Sequence, residues 1–168
     1  MTNQINNNMK RITFFITLTV FAVFSTFSVS GQKTDFSGTW KLDRTKSTLL
    51  ENLPTLARIS IDIKGDSLFT ERVYEGGDGQ EYPFNENLTL DSKEHNITIY
   101  DMPRKSKASW SEQDGLTVES TTTSDDGDFV SKETWKADVT AKTLTISFKN
   151  SMAGNVADGV FILNRVDQ

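Results

Sequence analysis

Phe36-Ser37-Gly38-Thr39-Trp40-Lys41-Leu42 reads as an opening β-strand, with an aromatic residue, a Gly-x-Trp and an alternating continuation. Side chains alternate across a strand, so Phe36, Gly38, Trp40 and Leu42 share one face, opposite Ser37, Thr39 and Lys41. A long series of short alternating runs follows it. About thirty residues of quite different character precede it.

Those residues have the order of an export signal. Met9-Lys10-Arg11 is a basic start, Ile12 to Phe24 an apolar run, and Ser28-Val29-Ser30 a small-residue cleavage stretch. The polar, uncharged residues 1–8 make Met9 an alternative start. An uncleaved anchor is the rival reading. Against it, the run is short of the roughly 20 residues of a bilayer span and is diluted by Thr13, Thr17, Thr19 and Ser25. The expectation is a cleaved signal over 1–31 and one domain over 32–168, exported to the periplasm or the medium, with no stable membrane insertion of the mature chain.

Of the 168 residues, 137 remain after such a cleavage, enough for one core. Lys10 and Arg11 leave with the signal, so 16 basic residues face 23 acidic ones, a net charge of −7. That surface repels phosphate backbones and anionic lipid and argues against nucleic-acid partners. Cysteine is absent, which excludes a disulfide framework and a thiol nucleophile.

Turn signals at Lys64-Gly65-Asp66, Gly76-Gly77-Asp78-Gly79, Asp114-Gly115 and Asp125-Asp126-Gly127-Asp128 separate runs of strand length. Ten strands are predicted near 36–43, 56–64, 67–75, 81–90, 96–101, 104–111, 116–124, 128–137, 142–149 and 159–166. Only Lys46 to Leu56 has a helical character, limited by Pro54.

Two hairpins can be phased from their turns. With Gly65-Asp66 as a two-residue loop, Ile63 faces Leu68, Ile61 faces Thr70, Ile59 faces Arg72 and Ala57 faces Tyr74. That isoleucine side is the inner one, so Arg72 points inward. With Asp126-Gly127 as the second loop, Val118 pairs with Trp135, Leu116 with Ala137 and Ser120 with Glu133, which turns Glu133 inward. Trp110 joins the same face if Gln113-Asp114-Gly115 is a loop with Gly115 in the left-handed region. The last strand, Val160-Phe161-Ile162-Leu163, is apolar on both faces, as a fully covered strand or an interface would be.

Arg72 and Glu133 are thus two interior charges among apolar neighbours, and a buried ion is costly unless it is paired. Either they satisfy each other within a core, or Arg72 offers its planar fork to an anionic ligand. Under the second reading Arg72, Glu133, Ser120, Tyr74, Trp110 and Trp135 form the binding site. His95, the single histidine, reads as a turn residue, and Asp125-Asp126-Gly127-Asp128 as an acidic hairpin tip rather than a calcium loop. No nucleophile-elbow, phosphate-loop or dinucleotide motif occurs, and no catalytic residue, metal site or cofactor is assigned.

The opening Phe36-Ser37-Gly38-Thr39-Trp40-Lys41-Leu42 resembles that of the calycin superfamily: lipocalins, fatty-acid-binding proteins and bacterial secreted lipocalin-like proteins. The resemblance implies an all-β, antiparallel up-and-down barrel of about 8–10 strands. It also implies that Gly38 and Trp40 close the base of the barrel beneath a late arginine, for which Arg165 is the candidate. Fatty-acid-binding proteins end in an Arg-x-Tyr pair that grips a carboxylate. Here Arg165-Val166-Asp167 lacks the tyrosine, so that role is not carried over.

Three functions compete. The leading one is binding or sequestering a small, mostly apolar ligand, possibly an anionic amphiphile, inside the barrel. The second is an envelope or surface module with a filled core. The third is a barrel hydrolase or isomerase using inward carboxylates. An interior cavity of about 300 Å³ or more distinguishes the first from the second. The oligomeric state is open.

Overall fold

The two phased hairpins are the seed of the architecture. The computed structural model describes residues 34–50, 53–111 and 115–166. The expected signal segment, 1–31, lies outside them. Ten strands follow in chain order: β1 (Gly38–Leu42), β2 (Thr55–Lys64), β3 (Ser67–Glu75), β4 (Glu81–Thr89), β5 (His95–Ile99), β6 (Met102–Trp110), β7 (Leu116–Ser124), β8 (Gly127–Asp138), β9 (Thr143–Met152) and β10 (Asn155–Val166). All belong to one antiparallel sheet in the order β4-β3-β2-β1-β10-β9-β8-β7-β6-β5. The chain runs up and down, and β10 returns to β1, placing Trp40 opposite Arg165. The result is a lipocalin-like up-and-down barrel, nearly closed, with its seam between β4 and β5.

At the first hairpin Lys64 pairs with Ser67, Ile61 with Thr70 and Ile59 with Arg72, as the turn chemistry dictates. The ladder then slips between Leu56 and Arg58. A bulge places an extra residue, Ala57, on β2, so Tyr74 faces Leu56 rather than Ala57. At the second hairpin the loop is Asp125-Asp126, with Ser124 opposite Gly127. Leu116 therefore pairs with Trp135, Val118 with Glu133, and Ser120 with Ser131. The difference from the expected register is two residues, and an even slip keeps every side chain on its face. Glu133 remains inside.

Gly115 is not left-handed. Its constraint is close approach, because a Cβ there would lie 2.6 Å from the Trp135 carbonyl oxygen. The β5–β6 turn falls at Tyr100-Asp101, both at positive φ, rather than between the strands predicted near 96–101 and 104–111.

No helix forms in the described part of residues 46–56. Instead Asp43 caps a turn by accepting bonds from the Thr45 backbone N–H and hydroxyl. The chain then runs along β10: Asp43 N–H donates to the Ile162 carbonyl, and Thr48 N–H to that of Val160. Ser47 Oγ accepts from Ile162 N–H at 2.9 Å. This strap pairs with the edge of β10 where β1 has ended, and the outward Val160 and Ile162 stay half-buried rather than fully covered.

The sheet's two ends differ. The turn at 65–66 and the facing ends of β6 and β7 at Trp110 and Leu116 lie at the base, together with the start of β1. The base is filled: Phe36, Trp40, Ile59, Leu68, Leu116, Trp135, Leu144, Ile146 and Leu163 are inaccessible to solvent. Trp40 donates its indole N–H to the Phe36 carbonyl at 2.9 Å. The Arg165 guanidinium lies 5.4 Å from the Trp40 ring centroid and donates to the Ser37 carbonyl at 2.8 Å. Gly38, at φ +127°, makes room for it, since a Cβ there would be 3.0 Å from Arg165 Nη2. The turns at 76–80, 100–101, 125–126 and 153–154 mark the opposite end.

Candidate functional site: a cavity over a charged floor

Ascending any of three strands from the base, the inward residues change in the same sequence. On β3 they run Leu68, Thr70, Arg72, Tyr74; on β6, descending, Arg104, Ser106, Ala108; on β8, again descending, Phe129, Ser131, Glu133, Trp135. An apolar core gives way to a polar layer, and the polar layer to open space.

The polar layer is a chain of four buried charges of alternating sign. Arg72 Nη1 donates to both carboxylate oxygens of Glu133, at 2.9 and 3.0 Å. Its Nε faces Glu86 Oε2 at 3.8 Å. Glu86 Oε1 accepts from Arg104 Nε at 2.8 Å and from the Ser106 hydroxyl at 2.6 Å. Arg104 Nη1 donates to Thr122 Oγ1 at 3.1 Å. Trp135 Nε1–H donates to Glu133 Oε2 at 2.7 Å. Two carboxylates and two guanidiniums leave the layer neutral.

The electrostatics follow from that alternation. Burial works against ionised Glu86, but the guanidiniums of Arg72 and Arg104, with the Arg104 and Ser106 hydrogen bonds, hold its pKa below the ordinary carboxylate value. Burial also opposes the Arg72 charge, and the charges of Glu133 and Glu86 contribute to raising its pKa nonetheless. Tyr74 is raised by burial and by the nearby Glu133 charge, so its hydroxyl stays protonated at neutral pH.

The same layer bridges the seam. β4 and β5 share no ladder, yet Glu86 on β4 bonds Arg104 and Ser106 on β6. At the basal end Thr89 N–H donates to His95 Nε2 at 3.1 Å, and at the other end the Tyr100 hydroxyl donates to the Pro83 carbonyl at 2.5 Å. Pro83 suits this edge, where a missing N–H costs no ladder bond. His95 is therefore a seam residue rather than a free turn residue.

Beyond the floor lies a cavity of about 380 Å³ that opens to solvent. Its walls are mostly apolar: Tyr74, Tyr82, Phe84, Ile99, Tyr100 and Met102 from one side, Phe129, Phe148, Met152 and Phe161 from the other, with Leu50, Leu53 and Pro54 at the strap. Few polar groups reach it, among them Arg104, Glu133, Thr122, Ser131 and Asn150. This combination of apolar walls and a few convergent polar groups is the usual make-up of a small-molecule site.

The six interior residues read from the sequence divide between these layers. Tyr74 and Glu133 line the cavity. Arg72 lies in the floor, its guanidinium 5.1 Å from the Trp135 ring centroid. Trp135 is in the filled core, and Trp110 packs on Phe36 near the base, ring centroids 6.0 Å apart. Ser120 sits in register between Ser106 and Ser131, all three buried. Glu86 and Arg104 went unread. Their signal was the alternation Tyr82, Phe84, Glu86, Leu88 and Arg104, Ser106, Ala108, Trp110, whose phase the aromatic and aliphatic members reveal.

The fold and interior define a class: a ten-stranded up-and-down barrel with an open apolar cavity closed beneath by a neutral, ion-paired layer. Comparison with protein families, with curated proteins and with solved structures gives no match.

Proposed function

We propose that this protein is an exported, calycin-like carrier or scavenger that holds a small, mostly apolar molecule in the barrel. The single observation that carries the reading is the cavity of about 380 Å³ with aromatic and aliphatic walls. A module acting only through its outer face has no need of such a space, and burying its apolar walls from water would be favourable. The packing of Arg165 over Trp40 beside Gly38 supports the calycin kinship. The carboxylates Glu86 and Glu133 are both engaged by guanidiniums, which speaks for structure over acid–base chemistry.

Titration with pyrene, an uncharged hydrocarbon fluorophore, tests the binding directly. Saturable binding of one equivalent is expected, with the probe's emission reporting an apolar site. Absence of saturable binding contradicts the reading.

A further inference from the structure

We infer that the ligand is uncharged and carries a hydrogen-bond donor, such as a hydroxyl or amide N–H, at the end that meets the floor. The inference rests on the binding reading above and adds the chemical class of what is bound.

The first argument is charge. Arg72, Arg104, Glu86 and Glu133 neutralise one another along a continuous chain of contacts. Among the described residues, Arg104 and Glu133 are the two charged ones lining the cavity, and each is already paired within the floor. A carboxylate entering the cavity would add a second negative charge beside Glu133, with no unpaired guanidinium to receive it. An ammonium would add a positive charge beside Arg104. Either would bring an uncompensated ion into a partly desolvated site, and that is costly. Arg72, the cation that would suit an anionic head group, is buried within the floor, bonded to Glu133 and in contact with the Trp135 ring.

The second argument is hydrogen bonding. Asn150 lies on β9, and its side-chain Oδ1 is buried without a hydrogen-bond partner. The residue lines the cavity. A buried acceptor left unmade is unfavourable by the full desolvation of that group, so a ligand that donates to it gains more than an ordinary exchange with water. In register, Asn150 stands opposite Ser131, which also lines the cavity. The protonated Tyr74 hydroxyl faces the same space and accepts only a long 3.4 Å contact from Arg72. A hydroxyl on the ligand could therefore donate to Asn150 and accept from a neighbouring hydroxyl.

Displacement of pyrene by three ligands of equal chain length tests this at neutral pH: 1-dodecanol, dodecanoate and dodecylamine. The alcohol should displace the probe at concentrations at least about tenfold lower than either ion. Asn150→Leu should weaken 1-dodecanol about three- to tenfold relative to pyrene, which has no donor, with both affinities measured on the same variant. Should Asn150→Leu fail to fold, Asn150→Ala, which removes the acceptor without adding bulk, provides the same comparison. Dodecanoate displacing as well as the alcohol, or 1-dodecanol indifferent to both Asn150 variants, overturns the inference while pyrene binding leaves the carrier reading standing. Loss of saturable pyrene binding to the wild type overturns the carrier reading itself.

Discussion

Arg72 and Glu133, 61 residues apart in the chain, meet inside the barrel with a single guanidinium nitrogen 2.9 and 3.0 Å from the two carboxylate oxygens. The pair is the centre of a neutral layer on which the barrel's apolar base and open end are divided.

Removing one partner leaves the other charged and buried. Arg72→Met should destabilise by about 3–5 kcal/mol, because it strands Glu133 and leaves Glu86 with Arg104 alone. Arg72→Met with Glu133→Gln should recover a large part of that loss, although Glu86 still keeps Arg104. A double-mutant cycle read by denaturant unfolding measures the coupling. Additive losses would mean that the two side chains do not interact.

Glu86 confers a defined pH dependence. Its folded-state pKa lies below its ordinary value, so the ionised form contributes stability that is complete above about pH 5 and is lost as pH falls through the lowered value. The stability gap between wild type and Glu86→Gln should be large at pH 7 and should narrow steadily below about pH 4. Denaturant midpoints of both proteins across that range provide the check. A gap independent of pH would place the carboxylate outside the network.

At the base, Trp40 is inaccessible to solvent, and Trp40→Ala should cost about 3–5 kcal/mol. Gly38→Ala faces two penalties, φ +127° and a Cβ 3.0 Å from Arg165 Nη2. It should cost about 1–3 kcal/mol. Arg165→Ala in the Gly38→Ala background should relieve the steric part alone. Thermal unfolding of the three variants reads this, and a silent Gly38→Ala would show that Arg165 does not pack there.

Much of this was legible in the chain because short hairpins carry their own register. Gly65-Asp66 sets Arg72 opposite Ile59, and no tertiary information is needed to turn it inward. The Asp125-Asp126-Gly127-Asp128 tip allows two loop placements one residue apart, which shift the pairing by two, so the faces were readable while the partners of Trp135 and Glu133 were not. The bulge at Ala57 depends on how β2 bends to close the barrel, a property of the whole sheet. The strap after Asp43 has no repeat of its own, because β10 rather than a periodic face holds it in place. Glu86 and Arg104 come from strands on either side of the seam, where no turn phases one against the other.

The most direct test is pyrene binding to variants that fill the cavity from two strands, Thr122→Phe and Ser131→Phe, each checked for wild-type unfolding behaviour. Both side chains line the space over the floor. The expected result is saturable, one-to-one binding to the wild type and a loss of at least about tenfold in affinity in both variants. Undiminished binding in both, with the fold intact, would place the ligand elsewhere and contradict a binding function for the barrel interior.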